Sequence, residues 1–408
     1  RPDLARRAGP VATVDDLSLL LWAAAGITER RGGLELRAAA SSGALFPTEV
    51  YAIVRSVEGV APGVYAYDPP AHALARVRED APAMASLGAA DAGEPPVTLV
   101  FTCVFRRSGQ KYRDRAYRYA VADTGHAIGN VLEAAAALDI GARLLHRFDD
   151  ASVAQAVGAD GDEEGVVAAL AVGAGITPAI APSLLVARSS VPVDGLTLGA
   201  TGLAHVATSL ELVATTTALE PALVLPALAS PPADTLSLIE RRRSVRAYAD
   251  RSLTLGEVAG VLRRSHAREP SLSRATRTHV IANRVAGMAP GVYRYDPATG
   301  GLALSRAGAQ GLESGRAGLD QDVVAGAALT VAVSFDRASL RVEGARAYRQ
   351  AFIEAGIIGA RLYLGAGAEG LGGCSVGAFY DEELAQLLGV PLDIEWPAHL
   401  FALGAPQG

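Results

Sequence analysis

Apolar and polar positions along this chain alternate between a helical and a strand period, and the order of that alternation is written twice. Val11 to Ile27 sets Leu17, Leu20, Leu21 and Ala24 at helical spacing behind Thr13, Asp15 and Asp16, side chains suited to the open N–H groups of a helix start. Val50 to Arg55 and Val97 to Val104 (VTLVFTCV) are predicted strands. From Phe105 to Asn130 a polar, basic turn carrying Lys111 and Tyr112 runs into a helix with Ala116, Ala120, Ala127 and Ile128 at helical spacing, and Val166 to Gly173 supplies a closing strand.

Each segment returns. Leu253 to Ser265 echoes the first helix, and Gly287 to Pro297 (GMAPGVYRYDP) repeats Gly59 to Pro69 (GVAPGVYAYDP) almost letter for letter. Ala328 to Phe335 repeats the second strand, Tyr348 to Tyr363 lies over Tyr117 to Leu132 with Gly356 on Gly125, and Ala398 to Gly404 repeats the last strand. A period near half the chain length predicts a tandem duplication. Strands and helices alternate without a glycine-rich nucleotide fingerprint behind the first strand, which predicts an α+β fold with a mixed sheet flanked by helices in each copy. The expected boundaries are a first unit over 1–185, a linker or covering arm over 186–235 and a second unit over 236–408. Ala214 to Asp234, with Pro221, Pro226, Pro231 and Pro232, is the most linker-like stretch.

Composition narrows the class. Of 408 residues half are hydrophobic, 20% charged and 5% aromatic, which is globular usage and excludes a fibre or a disordered chain. A net charge of -6 gives no footprint for nucleic acid or anionic lipid, so any arginine cluster needs a local explanation. Cys103 and Cys374 are the only cysteines, which excludes a disulfide scaffold, argues against a structural zinc and makes a reducing, cytoplasmic setting the default. Apolar runs such as Gly165 to Val172 fall short of the ~20 residues of a membrane span, and no signal-peptide pattern opens the chain.

The copies differ where chemistry is expected. The spacing between first helix and Gly-Val-Tyr segment is about 13 residues longer in the first copy, around Arg30 to Pro47 (RRGGLELRAAASSGALFP), whose counterpart His266 to Ala275 lacks the Ser-Gly-Ala-Leu-Phe-Pro run. Under Lys111 and Tyr112 the second copy has Val342 and Glu343. The second copy alone carries Glu240 to Tyr248 (ERRRSVRAY). On an extended segment Arg242, Ser244 and Arg246 point one way and could grip a phosphate, the alternative being a solvated basic turn. It also carries Glu369 to Gly377 (EGLGGCSVG), a glycine-rich helix exit that reads either as a C-cap or as backbone placed close to a flat ligand.

Taken together, RRSVR at 242–246, SSGALFPTEVY at 41–51, PGVYAYDP at 62–69, GQKY and YRYA within 109–120, GHAIGN at 125–130 and GLGGCSVGAF at 370–379 resemble the FMN-dependent nitroreductase superfamily over nearly the whole chain. The likeness is to its SagB-like branch of azoline dehydrogenases, the thiazole- and oxazole-forming oxidases of ribosomal peptide natural-product biosynthesis, here in tandem-repeat form. The resemblance implies an intrachain pseudo-dimer with one functional site. Arg242, Ser244 and Arg246 would hold the FMN phosphate, and Gly370, Leu371, Gly372 and Gly373 would border the flavin N5 edge. Ser41, Ser42, Gly43 and Ala44 would close over the ring, with Arg37 nearby, either on the flavin or paired with Glu35 or Glu49. Lys111 would be the base, aided by Arg106, Arg107 or Arg113, and Tyr112 would orient it or relay the proton.

The same resemblance implies an azoline-containing peptide as substrate, O₂ as final electron acceptor, and a cyclodehydratase or leader-peptide-recognition protein as partner, with the chain a monomer or a homodimer. Neither nucleic acid nor membrane is expected as a partner, and no metal. Two rival readings stand beside it: an NAD(P)H-dependent nitro or quinone reductase, which has no need of Lys111 and Tyr112, and a flavin-free scaffold of a peptide-modifying complex. His126 reads equally as a site residue or a core histidine, Cys374 as buried packing, and the recurring Tyr65, Tyr67, Tyr293 and Tyr295 as structural.

Overall fold

The computed structural model describes residues 13–173, 199–209, 235–266 and 272–407. They form two compact units, the first comprising 13–173, 199–209, 235–240 and 343–353, the second 241–266, 272–342 and 354–407. The linker-like stretch Ala214 to Asp234 lies outside the described residues, as does most of the expected arm 186–235.

The first unit opens with α1 (Val14–Ala25), capped by Thr13 in a reciprocal box with Asp16. A hairpin follows, β1 (Ile27–Arg31) and β2 (Leu34–Arg37), whose two-residue turn is Gly32-Gly33 with both φ values positive, the geometry only glycine takes without cost. Then come β3 (Thr48–Val54), β4 (Gly63–Asp68), β5 (Ala73–Arg78), β6 (Val97–Val104), α2 (Phe105–Tyr112), α3 (Ala116–Ala137), β7 (Ala142–Leu144), α4 (Asp150–Val157), β8 (Glu164–Val172) and α5 (Ala200–Thr208). The six main strands are ordered β5-β4-β3-β6-β8-β7. Ile53, Val64, Val100 and Ala169 of the sheet pack on Phe148 and on Val153 and Val157 of α4.

After α6 (Thr235–Arg241), the second unit repeats the plan: β9 (Leu253–Thr254), α7 (Leu255–Ser265), β10 (Thr276–Ala282), β11 (Val285–Ala286), β12 (Gly291–Asp296), β13 (Gly301–Ala307), α8 (Gly311–Ala317), α9 (Asp322–Ala325), β14 (Leu329–Asp336), α10 (Arg337–Glu343), α11 (Ala345–Ala368), β15 (Gly372–Val376), α12 (Asp381–Leu388) and β16 (Glu395–Gly404). Its sheet is ordered β13-β12-β10-β14-β16-β15, the same permutation, and its core uses Ile281, Val292, Ala332, Leu384, Leu388 and Leu400 at the corresponding positions. Tyr65 and Tyr293 donate to Ala61 and Ala289 carbonyls at 2.7 Å in both copies, consistent with a structural role.

The α+β class holds, but the sheets are not mixed. Every pairing within both six-stranded sheets is antiparallel. The alternation strand, helix, strand that suggested parallel neighbours is real, since β6 and β7 run the same way, yet β8 inserts between them and pairs antiparallel with both. The expected basic turn before the long helix is itself helical. Phe105 and Ser108 are buried along one side of α2, and the break falls only at Arg113, whose φ is 48°. Among the described residues α11 is long and apolar enough to cross a membrane, but 83% of its most apolar window is buried in the protein, as in a core helix.

Candidate functional site

In the first unit the site is built around the loop after β2. Around a 3-10 turn over Ser42–Ala44 the loop holds Gly43, Ala44 and Phe46 at φ of 64°, 54° and 45°, with Leu45 right-handed between the last two, and two non-glycine residues adopt positive φ only under constraint. The constraint is Asp123, two turns into α3. Its carboxylate accepts from the Ser41 hydroxyl at 2.7 Å, the Ser42 hydroxyl at 3.0 Å and the Ser42 N–H at 2.9 Å, while Ser41 Oγ accepts from the Phe46 N–H at 2.9 Å. Burial pushes the Asp123 carboxyl up to about 7 against the pull of these donors. The serine hydroxyls are thus turned inward to Asp123, and the part of the loop that meets α2 is Gly43.

Lys111 and Tyr112 converge there. A Cβ on Gly43 would lie 2.6 Å from Tyr112 Oη and 2.9 Å from Lys111 Nζ, so the pair occupies the space that the missing side chain leaves. Lys111 Nζ sits 5.4 Å from the centre of the Tyr112 ring, and that ring stands edge-on to Tyr119 at 4.7 Å. Burial, then the Asp123 and Tyr119 charges, raise the Tyr112 hydroxyl, which keeps it a neutral donor. Arg107 pairs with Glu49 at 2.5 Å and donates to the Phe46 carbonyl at 2.9 Å, bracing the loop from its far end. Arg106 pairs with Glu163, so neither arginine is directed at Lys111. The Arg37 guanidinium lies over Phe46 at 5.0 Å, and Arg37, Ser41, Phe46 and Asp123 line a cavity of about 20 Å³, room for one water. Glu35 is taken by Arg30. His126 is buried within α3.

In the second unit the extended segment 242–246 runs beside the edge strand β15. Ser244 bridges Gly373 in parallel, and the Val245 N–H donates to the Gly373 carbonyl at 2.9 Å. This brings the arginine-serine motif and the glycine-rich segment into one place. Arg242 lies over the Tyr363 ring at 5.0 Å, and Ser244 Oγ is 2.8 Å from Tyr363 Oη. Burial lowers the Arg242 guanidinium, and the like charges of Arg243 and Arg246 push the same way. Three guanidiniums within five residues, with a hydroxyl between them, suit an anion: a phosphate would offset their mutual repulsion and accept from the forks and from Ser244. Cys374 is buried beside this cluster, and burial raises its thiol.

The glycines serve packing more than approach to a ligand. A Cβ at Gly372 would meet Val245 at 2.7 Å, and one at Gly373 would meet the Phe401 ring at 2.3 Å. Gly370, at φ 68°, turns the chain out of α11, and the Leu371 N–H returns to the Ala366 carbonyl at 2.7 Å, a C-cap.

Two residues escaped the sequence reading. Asp123 had a signal: its counterpart in the second copy is Glu354, which accepts from the Ser273 N–H at 3.1 Å and from Thr276 Oγ1 at 2.8 Å, so the repeat keeps an acid there to anchor the preceding loop. Tyr363 stands where the first copy has Leu132, a difference that tracks the arginine-serine motif.

The sequence profile of the Nitroreductase family matches residues 10–174 and again 239–405. A Methanocaldococcus jannaschii protein described as a nitroreductase is 34% identical over 142 residues, 34% of this chain and 70% of that protein. The crystal structure of an Anabaena variabilis protein described as a nitroreductase superposes with a TM-score of 0.83 at 27% identity, covering 96% of this chain and 88% of its own. The Escherichia coli microcin synthetase McbBCD complex, with truncated pro-MccB17 bound, matches 40% of this chain and 64% of that one at 26% identity and a TM-score of 0.35.

Proposed function

The chain belongs to the nitroreductase family, whose members are flavin-dependent oxidoreductases, and from that premise we propose that it is an FMN-dependent dehydrogenase oxidising azoline rings of a modified peptide to azoles. The observation that carries this reading is the convergence of Lys111 Nζ and Tyr112 Oη on Gly43, within a loop clamped by Asp123. Aromatising a thiazoline or oxazoline removes a hydride from one ring carbon and a proton from its neighbour, so the site needs a base as well as an oxidant. A reductase fed by a nicotinamide has no such need.

FMN, when bound, would supply the hydride acceptor, with O₂ as the final electron acceptor. Arg242, Ser244 and Arg246 are the residues assigned to its phosphate. Lys111 takes the ring proton at Nζ. Tyr112 holds that ammonium position through its ring face, and its neutral hydroxyl carries the proton onward. Asp123 keeps the loop in its left-handed form, which leaves Gly43 open for both side chains. The azoline itself must come from a cyclodehydration of Cys, Ser or Thr in the peptide, which assigns a cyclodehydratase or leader-recognising protein as partner.

The test uses the full chain loaded with FMN and a thiazoline peptide. A positioned general base contributes about 10²–10⁴-fold, so Lys111→Ala is expected to cut azole formation by that factor with flavin content unchanged at close to one per chain. Retention of turnover within a few-fold would refute the assignment. Turnover that requires added NAD(P)H would favour the reductase, and a protein that takes up no flavin on reconstitution would favour the scaffold.

A further inference from the structure

We propose that Tyr363 is the positioning residue of the anion site, and that its hydroxyl, through Ser244, sets a preference for phosphorylated over unphosphorylated flavin; this rests on the assignment of Arg242, Ser244 and Arg246 to a phosphate. Tyr363 lies on α11, is 5% exposed, and is locked by an edge-on contact with Phe401 at 4.8 Å between ring centres. Three groups, from β15 and from the segment 242–246, meet on it. The Ser375 N–H of β15 donates to Oη at 2.8 Å, Ser244 Oγ is 2.8 Å from the same oxygen, and the Arg242 guanidinium covers the ring at 5.0 Å.

A phosphate would give this arrangement a direction. The Ser375 N–H donates to Oη, and either hydroxyl of the Tyr363–Ser244 pair can be the donor to the other; an anion beside Ser244 favours the order in which the phenolic hydrogen donates to Ser244 Oγ and the Ser244 hydrogen turns to the phosphate oxygen. Burial keeps the phenol neutral, so this donor is retained. The ring gives Arg242 a face to lie on, which limits the guanidinium to the plane in which its fork can meet an anion. At the equivalent position the first copy has Leu132, which offers neither hydroxyl nor π-face, and that copy also lacks the arginine-serine motif.

The experiment titrates apo-protein with FMN and with riboflavin, following quenching of flavin fluorescence, for wild type, Tyr363→Phe and Ser244→Ala. A hydrogen bond to a charged group is worth about tenfold in affinity. Tyr363→Phe keeps the ring, so it is expected to weaken FMN about tenfold and riboflavin less than twofold. Ser244→Ala is expected to do the same, and the double variant to lose little more than either single one, because both act through one hydroxyl pair. Equal weakening of FMN and riboflavin, or an unchanged ratio in either variant, overturns the inference while the phosphate assignment stands. Additive losses do so as well. A wild type with no preference for FMN overturns the phosphate assignment and this inference with it.

Discussion

Replacing Asp123 with asparagine isolates the one buried carboxylate that clamps the Ser41 to Ala44 loop. An asparagine can keep the local bonds: its oxygen, in place of Oδ1, accepts from the Ser42 N–H, now at 3.0 Å, and its amide, in place of Oδ2, donates to a rotated Ser41 hydroxyl, now at 2.7 Å. What it removes is the charge. Burial raises the carboxyl from 3.8 to about 7, and at about 1.4 kcal/mol per tenfold change in proton affinity this makes the ionised form costlier in the fold by about 4 kcal/mol. The sign follows from the raised value. Stability from this group is fully present below the unfolded-state pKa near 4 and is lost as pH rises through about 7, with roughly 2 to 3 kcal/mol of the change between pH 5 and pH 8. Asp123→Asn therefore gains on the wild type by that amount across the same interval. The two tryptophans make the assay local, since Trp22 lies in α1 of the first unit and Trp396 in β16 of the second. Urea unfolding followed by Trp22 fluorescence, in a Trp396→Phe background, reports the first unit. A stability difference between Asp123→Asn and its parent that stays constant from pH 5 to pH 8 would refute the reasoning.

Two further perturbations separate site from scaffold. Gly43→Ala puts a methyl 2.6 Å from Tyr112 Oη and 2.9 Å from Lys111 Nζ, the far ends of flexible side chains that yield at small cost. The first unit should lose no more than about 1–2 kcal/mol, from the left-handed backbone, while azole formation drops at least about tenfold; unchanged turnover would detach the Lys-Tyr pair from the chemistry. Asp150 pairs with Arg346 and Arg349, both at 2.5 Å, and Arg349 is 0% exposed. Asp150→Asn strands two buried guanidiniums and should cost about 3–5 kcal/mol by the same Trp22 readout, a loss under about 1 kcal/mol being the contrary result.

Much of the fold is legible without coordinates, because it lies in local periodicity and repetition. The capped helix α1, the strands β3, β6 and β8 and their second-copy echoes follow from spacing within a dozen residues, and the near-identity of 59–69 and 287–297 declares the duplication. The asymmetry of the copies is legible too: Lys111, Tyr112 and the Ser-Gly-Ala loop stand in one, and the arginine-serine motif in the other.

Tertiary structure alone decided what depends on distant pairing. Strand order is set by which hydrogen-bonding edge each strand finds, so the insertion of β8 between β6 and β7 leaves no mark in the pattern of either. The clamp joins Ser41 to Asp123 across 82 residues, and Ser244 meets Tyr363 across 119. Local periodicity places each of these side chains on a helix or loop, but a buried polar group is explained by its partner, and only folding brings the partner within 3 Å.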